Sequence, residues 1–283
     1  MRADYRYPQR GPRPGFAALA VGIACMLPAT LGALATLFGL LPADPEAFVG
    51  PANAAASWQH WLGTDALGRD LLSRLSAAAV LFVGPGVLAA AVAAGVGVTL
   101  GVGRSLGGPW TRALASWLLQ ILDGVPKLVL VLLVAAIARS ELGWIMATVG
   151  LTFAPQIAEV VGSSVERLRS SAFIEAEQSL GVGLGRIVFV HILWGHARQV
   201  LLAQISSLFA YALLVESSLS YLGGELGVQE PTPSWGNMLA LAREGVFRGH
   251  LVPAVAPALL IALTLLGFSA LATGVVQGLE GRR

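Results

Sequence analysis

The sequence predicts an all-α, polytopic membrane protein with about six transmembrane helices and both termini on the cytoplasmic side. Three observations carry this prediction. Hydrophobic residues fill 55% of the 283 positions and charged residues only 12%, where a soluble domain carries roughly a quarter charged. Several charge-poor runs reach the roughly 20 residues that a helix needs to cross hydrocarbon. None alternates as barrel strands do, and open sheet edges cannot sit in lipid. With a mean hydropathy of +0.73, the chain is neither a soluble enzyme nor a disordered one. A net charge of +2, with no basic stripe to track a phosphate backbone, excludes a nucleic-acid binder.

The runs are taken in order. The first lies between Arg13 and Asp44 and the second between Arg74 and Arg104. The third extends from Arg112 to Arg139 and is interrupted by Asp123 and Lys127. The fourth and shortest fits between Glu141 and Glu159. The fifth follows Arg198 and ends near Tyr221, with Glu216 close to its end, and the sixth spans Arg248 to Glu280. The chain thus divides into a cytoplasmic segment 1–14, a first span 15–42, an extracytoplasmic loop with a short amphipathic helix 43–76, and a core 77–283 that holds a cytoplasmic loop 162–197. A cleaved signal peptide is the rival reading of the first span, but its apolar run exceeds the usual length of about 7–15 residues.

Arginine placement sets the orientation, because basic segments near span ends stay in the cytoplasm. Arg2, Arg6, Arg10 and Arg13 precede the first span, and Arg104 and Arg112 flank the second loop. Arg167, Arg169, Arg186 and Arg198 fall in the fourth loop, and Arg282 and Arg283 close the chain. Arg69, Arg74, Arg139, Arg243 and Arg248 lie on the other side. Glycines such as Gly95, Gly97, Gly101 and Gly103 crowd the second span, and the spacing of Gly97 and Gly101 suits close helix packing.

Catalytic devices are missing. A P-loop needs a lysine after its glycines, and the lone lysine, Lys127, follows Val125-Pro126 inside an apolar run. His60, His191, His196 and His250 have no metal-ligand spacing, and no serine stands in a nucleophile elbow. Cys25 cannot form an internal disulfide. The chain is therefore read as a non-enzyme with no metal and no cofactor of its own. Asp123 and Lys127, four apart in the third span, are expected to share a helix face, as a structural ion pair or on a translocation path. Glu159 and Glu216 are expected near span ends, within reach of water or headgroups.

Two loops carry more. In the 162–197 loop, Phe173, Ala176 and Leu180 fit one helix face, Gly181 offers a stop, and Arg186 to Leu193 can form a second short helix. Such a helix–glycine–helix makes a knob for a partner groove. Glu175, Ala176, Gly181, Ile192 and Leu193 stand at the spacing of the cytoplasmic signature of ABC importer permeases, which this loop resembles. Glu177 stands where that signature has a second alanine, and Trp194 where it has proline. In the outer loop, Gly63-Thr64-Asp65 and Gly68-Arg69-Asp70 form a turn leading into a helix, with Thr64 and Asp65 suited to capping and Asp70 placed to pair with Arg74. This block, from His60 to Leu75, is similar to the signature of the dipeptide/oligopeptide/nickel branch. So is the stretch from Glu216 to Leu239, in which Gly224 and Glu225 look like an insertion. Trp235 is expected there as an interface anchor.

The resemblance implies a transmembrane subunit of an ATP-driven importer in a bacterial cytoplasmic membrane. Its solute would be a di- or oligopeptide, a nickel or other metal chelate, or an opine-type compound. Implied partners are a second homologous permease, two ABC ATPase subunits that carry the ATP and Mg, an extracytoplasmic substrate-binding protein and membrane lipid. The alternative is a secondary transporter or a non-transporting membrane scaffold, which has no need of the 162–197 spacing.

Overall fold

The computed structural model describes residues 15–138, 141–169, 197–223 and 226–280. Among them stand eight helices: α1 (Phe16–Leu37), α2 (Leu71–Leu106), α3 (Pro109–Gly124), α4 (Lys127–Ala138), α5 (Leu142–Arg169), α6 (Arg198–Leu222), α7 (Trp235–Phe247) and α8 (Val252–Glu280). Extended pairing among the described residues is limited to the bridges Phe48–Arg69 and Thr64–Asp70. Helices α1, α2, α5, α6 and α8 are each long and apolar enough to cross a membrane. The α3–α4 pair makes a sixth crossing if taken as one span.

That third crossing departs from the sequence expectation. Its two helices meet at 83°. Pro126 offers no N–H to continue the ladder, and its ring drives Val125 out of the helical region to φ −96 and ψ 127. Asp123 therefore sits in the last turn of α3 and Lys127 opens α4. They do not share a helix face, and the ion pairs among the described residues do not include them. The short helix expected within 43–76 is likewise not separate, because Leu71 onward is already α2. Helix α5 continues well past Glu159.

The core lies where α2, α5 and α6 meet. Leu71, Leu75, Phe82, Ile145, Met146, Val149, Ile157, Val161, Leu208 and Leu213 are buried there. Helices α2 and α5 run parallel along a seam of missing side chains. A Cβ on Gly97 would lie 2.8 Å from the Ala154 carbonyl oxygen and one on Gly101 2.8 Å from that of Ala158, while one on Gly150 would collide with that of Ala89. The backbones touch because glycine lets them, which is how apolar helices associate when lipid removes the hydrophobic drive. Helix α1 packs on α8 in the same manner, Gly22 against Leu271, Gly267 against Met26 and Gly274 against Leu19. Outward faces of α1, α3, α4 and α8 show large apolar side chains such as Leu31, Trp117, Ile137 and Leu266. Lipid is as apolar as these residues, so their exposure is no liability.

Candidate functional site

Two polar places stand out in this apolar bundle. The first is a clasp at the end where α2 begins. Gly63 and Gly68 both hold φ +80, a region that glycine enters freely, and a Cβ at either would collide with a carbonyl oxygen, of Ala54 and Gly50 respectively. Thr64 ties the same segments together: its Oγ1 donates to the Pro51 carbonyl at 2.6 Å and accepts from the Ala54 N–H at 2.8 Å. Asp65 Oδ1 accepts from the backbone N–H groups of Leu67 and Arg69, closing the turn.

The Asp65 Oδ2 oxygen faces two buried guanidinium groups, Arg69 Nε at 2.8 Å and Arg74 Nε at 3.3 Å. Both arginines then reach across to the loop that precedes α7. Arg69 Nη1 meets Glu230 at 2.6 Å, and Arg74 Nη2 meets both Glu230 oxygens at 3.0 and 3.1 Å. Arg74 Nη1 also donates to the carbonyls of Pro45 and Pro231. Two cations and two anions balance, the condition under which buried charges are tolerated. Burial works against the Arg69 charge, but the bonds from Glu230 and Asp65 outweigh it and hold its pKa above the ordinary value.

Asp70 does not pair with Arg74, as its spacing had suggested. It caps α2 instead, accepting from the Ser73 N–H at 2.8 Å and Ser73 Oγ at 2.7 Å, with His60 Nδ1 3.0 Å away. Trp235 is core rather than an interface anchor. It is 3% exposed and its indole N–H donates to the Leu75 carbonyl. Ser234 and Asn237 form a capping box that starts α7 beside it. Glu216, expected to reach water or headgroups, is 4% exposed and accepts from Ser217 Oγ and Ser220 Oγ.

The second place is a cavity of about 630 Å³ between the end of α2, α3 and α5. Arg104, Arg112, Gln120, Asp123, Gln156, Glu159 and Glu166 are on its walls. Arg104 Nη2 pairs with Glu159 Oε2 at 2.8 Å, so Glu159 is held by a neighbour rather than left to solvent alone. Lys127 is outside this lining. Its Nζ stands 4.2 Å from the centre of the Phe153 ring, a cation over a π-face. Among the described residues no group of three or more His, Cys, Asp or Glu could hold a metal ion.

The structure therefore gathers Gly63, Thr64, Asp65, Gly68, Arg69 and Asp70 into one clasp and puts Asp123 and Lys127 on two different helices, still within electrostatic reach of each other. Glu175, Ala176, Gly181, Arg186, Ile192 and Leu193, with Glu177 and Trp194, lie outside the described residues, as do Gly224 and Glu225. Sequence reasoning placed Arg74 in this block but with the wrong partner, and it missed Glu230 as a clasp member and Arg112, Gln120 and Gln156 as cavity lining. Their neighbours are far away in sequence, and no local spacing could have announced them.

A family model described as "Binding-protein-dependent transport system inner membrane component" matches residues 86–283. A protein of Brucella suis biovar 1 (strain 1330) named as a peptide permease is 32% identical over 191 residues, which covers 68% of this chain and 62% of that protein. The glutathione transport system permease protein GsiD of Pectobacterium atrosepticum is 31% identical over 244 residues, 85% of this chain and 79% of that protein. Its namesake in Escherichia coli O1:K1 / APEC is 33% identical over 229 residues, 81% and 74% of the two chains. The chain thus spans somewhat less than two thirds of the Brucella relative's length.

Proposed function

The chain belongs to the binding-protein-dependent family of ABC importer permeases, in its peptide branch, and from that premise we propose that it is one transmembrane subunit of an ATP-driven importer of short peptides. The observation that carries this reading is the extent of the family match, residues 86–283. It takes in the bundle from α3 to α8, most of α2, and the 162–197 segment that bears the coupling signature. The names of the relatives support a peptide-class solute, glutathione included, over a nickel chelate or an opine.

In this proposal both termini are cytoplasmic, the clasp faces the extracytoplasmic binding protein, and the cavity opens toward the cytoplasm. A second permease completes the pathway. Two ATPases bind and cleave ATP with Mg, and dock on the knob around Glu175, Ala176, Gly181, Arg186, Ile192 and Leu193. Their closure moves the helices as rigid bodies and exposes the pathway to each side in turn.

The test is ATP hydrolysis by the reconstituted complex, its binding protein loaded in turn with a peptide mixture, glutathione or a nickel chelate. Stimulation by the peptide or glutathione arm supports the reading. Stimulation by the chelate alone overturns the solute class, and no stimulation by any loaded binding protein overturns the importer itself.

A further inference from the structure

The cavity between α2, α3 and α5 carries more charged groups than its one direct ion pair joins. Arg104 and Glu159 neutralise each other. Arg112, Asp123 and Glu166 also line it; none of the three makes a direct ion pair among the described residues, and Asp123 lies within electrostatic reach of Lys127, just outside the lining. Gln156 adds a buried side-chain oxygen, Oε1, with no hydrogen-bond partner, an acceptor waiting for a donor in a protein where such atoms are normally satisfied.

The spacing along α3 orders these groups. Arg112, Ser116, Gln120 and Asp123 follow at intervals of four, four and three, so one helix face presents them in line toward the cavity. At about 1.5 Å per residue, Asp123 lies roughly 16 Å along the axis from Arg112. Along this face of α3 a cation stands at one end and an anion at the other, with neutral hydrogen-bonding side chains between, while α2 and α5 add the Arg104–Glu159 pair and the carboxylate of Glu166 to the walls. An extended chain covers at most about 3.3–3.6 Å per residue, so three to five residues fill that distance once the side chains reach inward. A volume of about 630 Å³ falls in the range of small-ligand sites, roughly 300–1,000 Å³.

We propose that this cavity is a transit site for a short peptide with free ends, its ammonium group at Asp123, its carboxylate at Arg112, and its backbone N–H groups meeting the Gln156 oxygen. The inference deepens the importer reading and rests on it for the direction of transport. Recognition here is by the two terminal charges, not by the side chains. A stop of this kind suits a pathway that must pass many sequences and must release each one, because separated single contacts hold weakly.

The test uses the assembled transporter in lipid nanodiscs, with Cys25→Ser removing the native thiol and Ser116→Cys placing a reporter in the cavity. The rate at which a small methanethiosulfonate reagent labels position 116 is measured with trialanine and with its N-acetyl, C-amide form. The free peptide is expected to slow labelling by the factor 1 + [L]/Kd, about fourfold at a concentration three times Kd, while the capped peptide does not. Asp123→Asn and Arg112→Gln are each expected to erase that difference, and Thr99→Cys on the outer face of α2 is expected to show none.

Equal protection by both peptides, or protection that survives both substitutions, overturns the inference. So does a reporter thiol at position 116 that never reacts, because the partner permease would then fill the cavity. The labelling needs neither ATP nor the binding protein. A failure of ATP-dependent transport therefore strikes the importer reading, and a failure of protection strikes only the transit site.

Discussion

Arg74 offers the sharpest test of how the clasp is held. Its side chain is 0% exposed. It makes two bonds to Glu230, at 3.0 and 3.1 Å, one each to the carbonyls of Pro45 and Pro231, and a 3.3 Å ion pair with Asp65. Arg74→Met keeps most of the packing volume but leaves Asp65 and Glu230 facing Arg69 alone. Removing one partner of a buried pair costs about 3–5 kcal/mol, mainly through the charge left behind. Glu230 is 36% exposed and water can take over part of its charge, which places the expected cost near 3 kcal/mol, at the lower end of that range. Hydrogen exchange of the backbone N–H groups of Thr64, Asp65 and Arg69 reads it locally. Their exchange should accelerate about a hundredfold, since about 1.4 kcal/mol is a factor of ten, or up to the unprotected rate if that is reached first. Arg74→Lys keeps a charge without the fork and should fall between. Adding Glu230→Gln to Arg74→Met should recover part of the loss, because the two residues act as a unit. An acceleration below tenfold in Arg74→Met would refute the claim that the charges hold this loop.

Three further outcomes are expected. Gly101→Val should lower the thermal midpoint of the purified chain in detergent by an amount equivalent to about 1–3 kcal/mol, since its Cβ would already stand 2.8 Å from the Ala158 carbonyl; an unchanged midpoint would sink the seam argument. Phe153→Leu should destabilise by about 0.5–2 kcal/mol by removing the ring beneath Lys127, whereas Lys127→Met should not, because it also removes the charge that needed the ring. A thermal double-mutant cycle in which the two effects simply add would contradict that coupling. Ala176→Asp, on the proposed ATPase knob, should abolish stimulation of ATP hydrolysis by loaded binding protein, and full stimulation in that variant would move the docking site elsewhere.

How much of this was legible follows from the range of the forces involved. Apolar composition and run length announced a helical membrane bundle, because the bilayer imposes both on any spanning chain. The glycines at 97 and 101 were legible as packing sites and the structure uses them so. The third crossing was misread as one helix because hydropathy averages across a break. Pro126 withdraws an N–H and disfavours the helical conformation at Val125, but Pro28, Pro85, Pro155 and Pro257 stand inside continuous helices, so a proline alone did not announce the break. The Asp70–Arg74 pair was misread for the opposite reason. A four-residue spacing licenses a surface pair, but a cap beside it and the carboxylate of Glu230 each offered more. Whenever a site is assembled from segments far apart in the chain, as with Glu230 and Arg74 or Asp123 and Gln156, a local reading finds the members and not the meeting.

The seam between α2 and α5 has a mechanical consequence. Helices separated by side chains can shear, since rotamers give way, whereas here carbonyl oxygens of each helix sit against bare Cα atoms of the other. Such a contact resists sliding along the seam, so the two helices are expected to shift together as one rod even though each carries an internal proline, Pro85 and Pro155. At about 1.5 Å per residue, α2 alone is roughly 54 Å long, well over the bilayer's hydrocarbon thickness of about 30 Å. One tip of that rod is the Asp70 cap and the Arg74 side of the clasp, while α5 at the other leads directly into residues 170 onward. A push delivered at either tip is therefore expected to reach the other as displacement, with the glycine seam limiting the loss in between.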